Sequence, residues 1–208
     1  MSTTIKILVA GPPRVGKSVV SNFLASMERP DMLRAYTPTP HVRILEFTRD
    51  LSRVKAPATA LRLGRVNVEL WDLTGDDSYA GHWPAVAPDA HGLLLIMNAD
   101  DPSHPKQLEQ CASAFPTLRD TQLLVFAHKQ ENASQSRARP KLAGRLARSV
   151  VVSSSLDNPA DTESMRAEFD TWLAACAREA GEQRGRDERD LVGSAVTAAA
   201  AEVGGQAV

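Results

Sequence analysis

Gly11-Pro12-Pro13-Arg14-Val15-Gly16-Lys17-Ser18 satisfies the spacing G-x-x-x-x-G-K-[ST], and that combination of residue types can hold phosphate groups. Glycines let backbone N–H groups curl around phosphate oxygens without side-chain clash, and a helix starting at the end of the run adds positive potential. Lys17 would bridge the β- and γ-phosphate oxygens of a nucleotide, and Ser18 would offer its hydroxyl to Mg2+. Gly11, Pro13, Arg14, Val15, Gly16 and Val19 complete the cradle around them. A second group lies further on, where the run 68–76, VELWDLTGD, closes with D-x-x-G. A carboxylate at Asp72 can hold the magnesium through a water, and the Gly75 N–H can meet a γ-phosphate. Between the two motifs, Tyr36-Thr37-Pro38-Thr39 offers a hydroxyl, that of Thr39, that would add to the same metal when a γ-phosphate is present, though on its own it reads better as a threonine in a proline-rich loop.

These groups converge only if strands and helices carry them to one edge of a sheet. The rhythm of the chain supplies that: strand and helix alternate, as in a parallel sheet covered on both faces. Residues 5–10 form a short apolar run ending in a Gly-Pro-Pro turn signal, which predicts a buried first strand ahead of the phosphate loop. Val19, Val20, Phe23, Leu24 and Met27 recur at helical spacing over 16–27. Residues 41–47 and 65–71 alternate apolar and polar, as the two strands of a hairpin do, with a long charged connection over 48–64. The runs 91–98 and 121–127 read as central strands buried on both faces, with a helix over 105–115 between them. A short strand over 148–152 and a helix over 162–180, striped by Met165, Phe169, Trp172, Leu173 and Cys176, close the domain.

Composition bounds the rest. At 208 residues the chain is one domain, or one domain and a tail. Lys plus Arg number 24 against 25 for Asp plus Glu, so the basic excess expected of a dedicated nucleic-acid binder is missing. Cys111 and Cys176 match no metal-ligand spacing and read as reduced core residues of an intracellular protein. No apolar run approaches a membrane span, and the N-terminal run is too short for a signal peptide. Aromatic residues vanish after Ala180, so 181–208 is expected to be a disordered tail or a loosely docked helix. It ends without a cysteine for prenylation, so no membrane anchor is expected.

The order phosphate loop, Pro-Thr, WDxxG resembles the Ras-superfamily small GTPases in their Rab-like form, over about residues 5–180. Within them the chain is especially similar to the Rab-like family of intraflagellar transport. The segments that carry this likeness are 21–25 (SNFLA), 37–47 (TPTPHVRILEF), 82–92 (HWPAVAPDAHG) and 98–109 (NADDPSHPKQLE). The resemblance implies an α/β fold, a Ras-like P-loop domain with a six-stranded, mostly parallel sheet flanked by helices. It implies GTP or GDP with Mg2+ as ligands, with Ser18 and Thr39 on the metal and Asp72 reaching it through water. It further implies docking, as a peripheral subunit of intraflagellar transport complex B, onto that complex's paired coiled-coil subunits, in the cytoplasm, at the cilium or flagellum and at its base.

The resemblance also assigns a base-reading end. Residues 126–131, FAHKQE, stand where small GTPases carry N-K-x-D. Lys129 would lay its stem along the base and Glu131 would accept from guanine N1–H and the N2 amine. His128 replaces the asparagine, and the residues leave adenine open beside guanine. Ser154, Ser155 and Leu156 stand at the loop whose backbone meets guanine O6, though a plain loop after the last strand reads nearly as well. Tyr36 joins the nucleotide set. Asp76 replaces the water-orienting glutamine, and Pro13 removes a backbone donor, so hydrolysis is expected to be slow or absent. Arg14 reads either as an internal arginine finger or as a solvated loop-tip arginine. An active hydrolysis switch and a nucleotide-holding docking module remain the two readings, and Asp76 with Pro13 favour the module. Its docking face is expected over the segment of Thr39, an exposed apolar patch at Tyr79 and Trp83, and the strand edge bearing Arg43.

Overall fold

A computed structural model of the chain describes residues 4–26, 39–55, 62–129 and 140–204. Six strands form one sheet in the order β2-β3-β1-β4-β5-β6. They are β1 (Thr4–Ala10), β2 (Val42–Asp50), β3 (Arg65–Leu73), β4 (Gly92–Asn98), β5 (Leu123–His128) and β6 (Val150–Ser154). All neighbours pair in parallel except β2 and β3, which run antiparallel as a hairpin with β2 at the edge. The helices are α1 (Lys17–Ser26), the single turn α2 (Trp83–Val86), α3 (His104–Ser113) and α4 (Pro159–Gly204). The fold class expected from the alternation of elements is the one observed.

β4 and β5 are buried along nearly their whole length because helices cover both faces of the sheet. One core joins Ile5, Ile7 and Val9 of β1 to Phe23 and Leu24 of α1 and to Phe169 and Leu173 of α4. The other joins Leu8, Leu93 and Leu95 to Leu108 of α3, Phe115 and Trp83. Alternation along β1 therefore sends successive side chains into different cores, and both faces are filled.

Among the boundaries that differ from expectation, three bear on packing. The hairpin runs on to Asp50, so the connection starts at Leu51, a fully packed residue whose N–H bonds Gly64 O at 3.0 Å. Arg49 explains the extension: it is buried, donates to Leu24 O and pairs with Asp170 of α4 at 3.2 Å, fastening the strand end to two helices. β6 begins two residues later than read, since Leu146 folds into a 3-10 turn that enters the core first. α4 runs beyond Ala180 as one helix to Gly204. Its core stripe ends near Ala180, and further along Gln183 Nε2 donates to Asp187 Oδ1 and Arg186 Nη2 to Gln183 Oε1, both at 2.8 Å. Local pairs and helix-forming residues thus continue what packing began, which composition alone does not reveal. Cys111 and Cys176 are buried reduced thiols, and burial pushes the Cys176 thiol up to about 12. Among the described residues no helix is long and apolar enough to cross a membrane.

Candidate functional site

The parallel strands β1, β3, β4, β5 and β6 end on one edge of the sheet, and the loops leaving them meet there. β1 delivers the phosphate loop, and α1 begins at Lys17, so its N-terminus points into the cradle. Gly16 has φ +89°, and a Cβ there would stand 2.8 Å from the His128 ring. Arg14 is exposed at the loop tip with φ 60°, and Pro13 is exposed beside it.

Lys17 is folded over its own loop. Its ammonium donates to Gly11 O at 2.9 Å and to Pro12 O at 2.7 Å, and only 7% of the residue is exposed. Burial brings its pKa down to about 8, against the opposing pull of Asp72. Gly75 closes over it: a Cβ on Gly75 would lie 2.4 Å from Lys17 Nζ and 2.7 Å from Pro13 Cα. Only glycine allows the Asp-x-x-Gly loop to come this close to the phosphate loop.

Ser18 Oγ and Thr39 Oγ1 are 2.6 Å apart, although 21 residues separate them. Asp72 is completely buried at the end of β3, and neither of its carboxylate oxygens completes a hydrogen bond. Burial raises its pKa, while the Ser18 hydroxyl, the Arg43 guanidinium and the Lys17 ammonium pull the other way. Two hydroxyls and one carboxylate with open lone pairs make a hard oxygen set of the kind Mg2+ uses when phosphates complete its shell.

At the other end of the edge the polar groups satisfy one another. His128 is 4% exposed, its Nδ1 lies 3.2 Å from Ser154 Oγ, and its ring edge sits under Gly16. Burial lowers its pKa to about 4, so the ring is neutral. The Lys129 N–H bonds Ser154 O at 2.8 Å, tying the loops after β5 and β6 together. Leu156 is packed into the core beside Phe23, and Ser155 Oγ accepts from the Asp157 N–H at 3.3 Å. Asp76 is exposed, its carboxylate accepting from the Ser78 N–H at 2.9 Å, which holds it below the usual carboxylate range. Tyr36 and Glu131 lie outside the described residues.

Trp83 departs from expectation. It was read as part of an exposed patch, but it is 8% exposed and stacks on Phe115 with ring centroids 5.8 Å apart. The indole belongs to the core cluster that includes Leu108 and Cys111 of α3. Tyr79 does stay at the surface side, edge-on to His41 at 4.7 Å, and so links the segment before β2 to the loop after β3. Arg43 was read only as a surface residue. Its place opposite Asp72 was hidden in the hairpin register and could have been found by aligning the two strands.

An antiparallel edge strand set between the phosphate loop and the Asp-x-x-Gly loop is the small-GTPase form of the P-loop fold, and the chain has that form. Within it the chain belongs to the intraflagellar transport protein 22 family. It is 36% identical to the human intraflagellar transport protein 22 homolog over 190 residues, covering 90% of this chain and 97% of that one. The intraflagellar transport protein 22 of Chlamydomonas reinhardtii matches at 36% over 107 residues, half of each chain. Among solved structures, the GTP-bound T. brucei IFT22/74/81 matches with TM-score 0.62 and 27% identity over 81% of this chain and 95% of that one. The GDP-bound T. brucei IFT22 matches with TM-score 0.58 and 26% identity over 84% and 97%. Comparison with protein-family models gave no match.

Proposed function

We propose that the chain binds a guanine nucleotide with Mg2+ and docks, in a nucleotide-sensitive way, onto coiled-coil subunits of intraflagellar transport complex B at the cilium or flagellum. The observation that carries this reading is the convergence of Lys17, Ser18, Thr39 and Asp72 at the head of α1, in a family whose T. brucei member is solved with GDP and with GTP. Lys17 and the loop from Gly11 to Val19, with Tyr36 and Gly75, would hold the phosphates. Ser18 and Thr39 would ligate Mg2+, and Asp72 would reach it through water. The metal would neutralise the β- and γ-phosphate oxygens. Lys129 and Glu131 would hold the base, with the loop 154–156 at its rim. The nucleotide-binding body ends near residue 180, and the remainder of α4 serves outside it.

Asp76 supports weak or absent hydrolysis, because its carboxylate is spent on the Ser78 N–H and lacks a donor for a γ-phosphate. That disfavours a hydrolysis cycle as the protein's output. Docking is favoured at β2, which among the described residues has no strand partner on its outer edge and which carries Ile44, 46% exposed. The His41–Tyr79 contact ties the segment before β2 to the loop after β3, which supports docking on this side.

Chromatography of the nucleotide released by denaturing the purified protein tests the reading, and GDP or GTP is expected. Adenine nucleotides alone, or no nucleotide and no binding of added GDP, would overturn it. For docking, Ile44→Asp should weaken capture by the paired coiled-coil subunits without changing GDP affinity. Capture equal to wild type would move the interface elsewhere.

A further inference from the structure

The oxygen cluster at the head of α1 already holds a cation belonging to the chain. Antiparallel register pairs Arg43 of β2 directly with Asp72 of β3, and directly opposed residues project from the same face. From there Arg43 Nη2 lies 3.3 Å from Asp72 Oδ2 and 3.3 Å from Ser18 O. One guanidinium therefore touches both the carboxylate and the residue whose hydroxyl faces Thr39.

The two partners are unequally buried. The Asp72 side chain is wholly inaccessible, while that of Arg43 is 38% exposed. A sequestered carboxylate requires a nearby positive charge; Lys17 also acts on Asp72, but its ammonium is hydrogen-bonded to Gly11 O and Pro12 O, whereas Arg43 lies against the carboxylate itself. Arg43 retains a path to water, so it can leave without being stranded in the interior. The pair is also incomplete: Arg43 Nε has no hydrogen-bond partner, and neither Asp72 oxygen completes a hydrogen bond. A guanidinium keeps its charge at any working pH, which suits a group that must always be available to the carboxylate.

We propose that Arg43 is the resident counter-cation of this site, holding Asp72 when no divalent ion is present, so that the cradle keeps nucleotide without Mg2+, and competing with Mg2+ for the carboxylate. The inference rests on the nucleotide reading above. A purely structural ion pair would stabilise the hairpin but leave the metal dependence of binding unaltered.

Titration of the full chain with a fluorescent GDP analogue, in excess Mg2+ and in EDTA, separates the two. Wild type should lose less than about 10-fold in affinity on chelation, and Arg43→Gln should lose at least about 100-fold. Arg43→Lys restores the charge without the planar fork, should fall between them, and carries the comparison if Arg43→Gln does not fold. In the GDP-loaded protein, Mn2+ followed by electron paramagnetic resonance should bind about tenfold more tightly to Arg43→Gln, since its competitor is gone. Equal loss on chelation in wild type and variants, or unchanged Mn2+ affinity, would overturn the proposal while leaving nucleotide binding intact. Failure of wild type to bind GDP even in Mg2+ would overturn the nucleotide reading, and this inference with it.

Discussion

The two ends of the strand-end edge are built on opposite principles. At the phosphate-loop end, Lys17, Ser18, Thr39 and Asp72 converge, and both carboxylate oxygens of the buried Asp72 are left without a completed hydrogen bond. At the base end, His128, Ser154 and Lys129 satisfy one another, and Leu156 is turned into the core. Leftover polarity is where binding free energy can come from, because groups already paired gain little from a ligand. On the proposed reading, affinity would come from the phosphate end and base selectivity from very few groups.

The largest expected effect removes the phosphate end's charge. Lys17→Ala should weaken GDP binding by roughly 1,000-fold, about 4 kcal/mol, with the fold retained. Retention of the fold follows from what Lys17 contacts: its ammonium bonds two loop carbonyls, and it belongs to neither hydrophobic core. Fluorescence titration beside a circular-dichroism melt measures both. A folded variant with wild-type affinity would dissolve the contrast, because the cradle would then contribute nothing special.

The second effect tests whether the base end is a strut. The His128 pKa lies at about 4 in the folded chain, below its ordinary 6.5, because burial disfavours the charged ring. As pH falls, the unfolded chain takes up this proton first. The contribution is therefore whole above about pH 6.5 and is lost as pH falls toward 4, a span worth on the order of 3 kcal/mol. Asp72 works against it, since burial raises its pKa and acid relieves its charge. The test is consequently differential: urea midpoints at pH 7 and pH 5 for wild type and His128→Asn. Wild type should lose about 2 kcal/mol more than the variant over that interval. Parallel losses would mean that His128 carries no strut function.

The same contrast explains what could be read in advance. The phosphate end was legible because its motifs are local: Gly11 to Ser18 is one loop, and Asp72 and Gly75 are three residues apart. The sheet and its antiparallel edge strand followed from alternation along β2 and β3. Pairings that only a register or a packed core creates were not legible. Arg43 opposite Asp72 needs the hairpin alignment, the inward turn of Trp83 needs Phe115 beneath it, and His128 bonded to Ser154 needs β5 beside β6. The helix end at Ala180 was misplaced for a related reason, since loss of a core stripe ends burial but not helix formation.

A third effect, of similar size, sharpens the base end. With His128 turned inward, Glu131 is the one acidic group of the FAHKQE run, and on the proposed reading discrimination for guanine would fall to it. Glu131→Ala should bring the ratio of GDP to ADP affinity down by roughly 30-fold, about 2 kcal/mol, the scale of losing a charged hydrogen-bond acceptor. Affinity for inorganic pyrophosphate, which has no base, should be unchanged. A preference for GDP that survives the substitution would show that the loop at Ser154 to Leu156 reads the base unaided.

The smallest effect concerns the boundary between binding and turnover. Wild type should hydrolyse GTP no faster than on the order of 10⁻⁴ per second without a partner. Asp76→Gln restores a side chain that can both donate and accept, yet the expected gain is less than about tenfold. The reason lies in the neighbouring loop. Gly75 is packed onto Pro13, so the backbone that would carry residue 76 toward a γ-phosphate is constrained by a proline that offers no N–H. The carboxylate of Asp76 also closes a turn with the Ser78 N–H, and an amide oxygen can take that same bond. Glutamine at 76 would therefore remain largely where aspartate is. Pairing it with Pro13→Gly tests the argument directly under single-turnover conditions. Acceleration by the double substitution well beyond the single one would place the brake at Pro13. A hundredfold rise from Asp76→Gln alone would show that the side chain was the whole obstacle, and that the phosphate end is a working catalytic site lacking one residue.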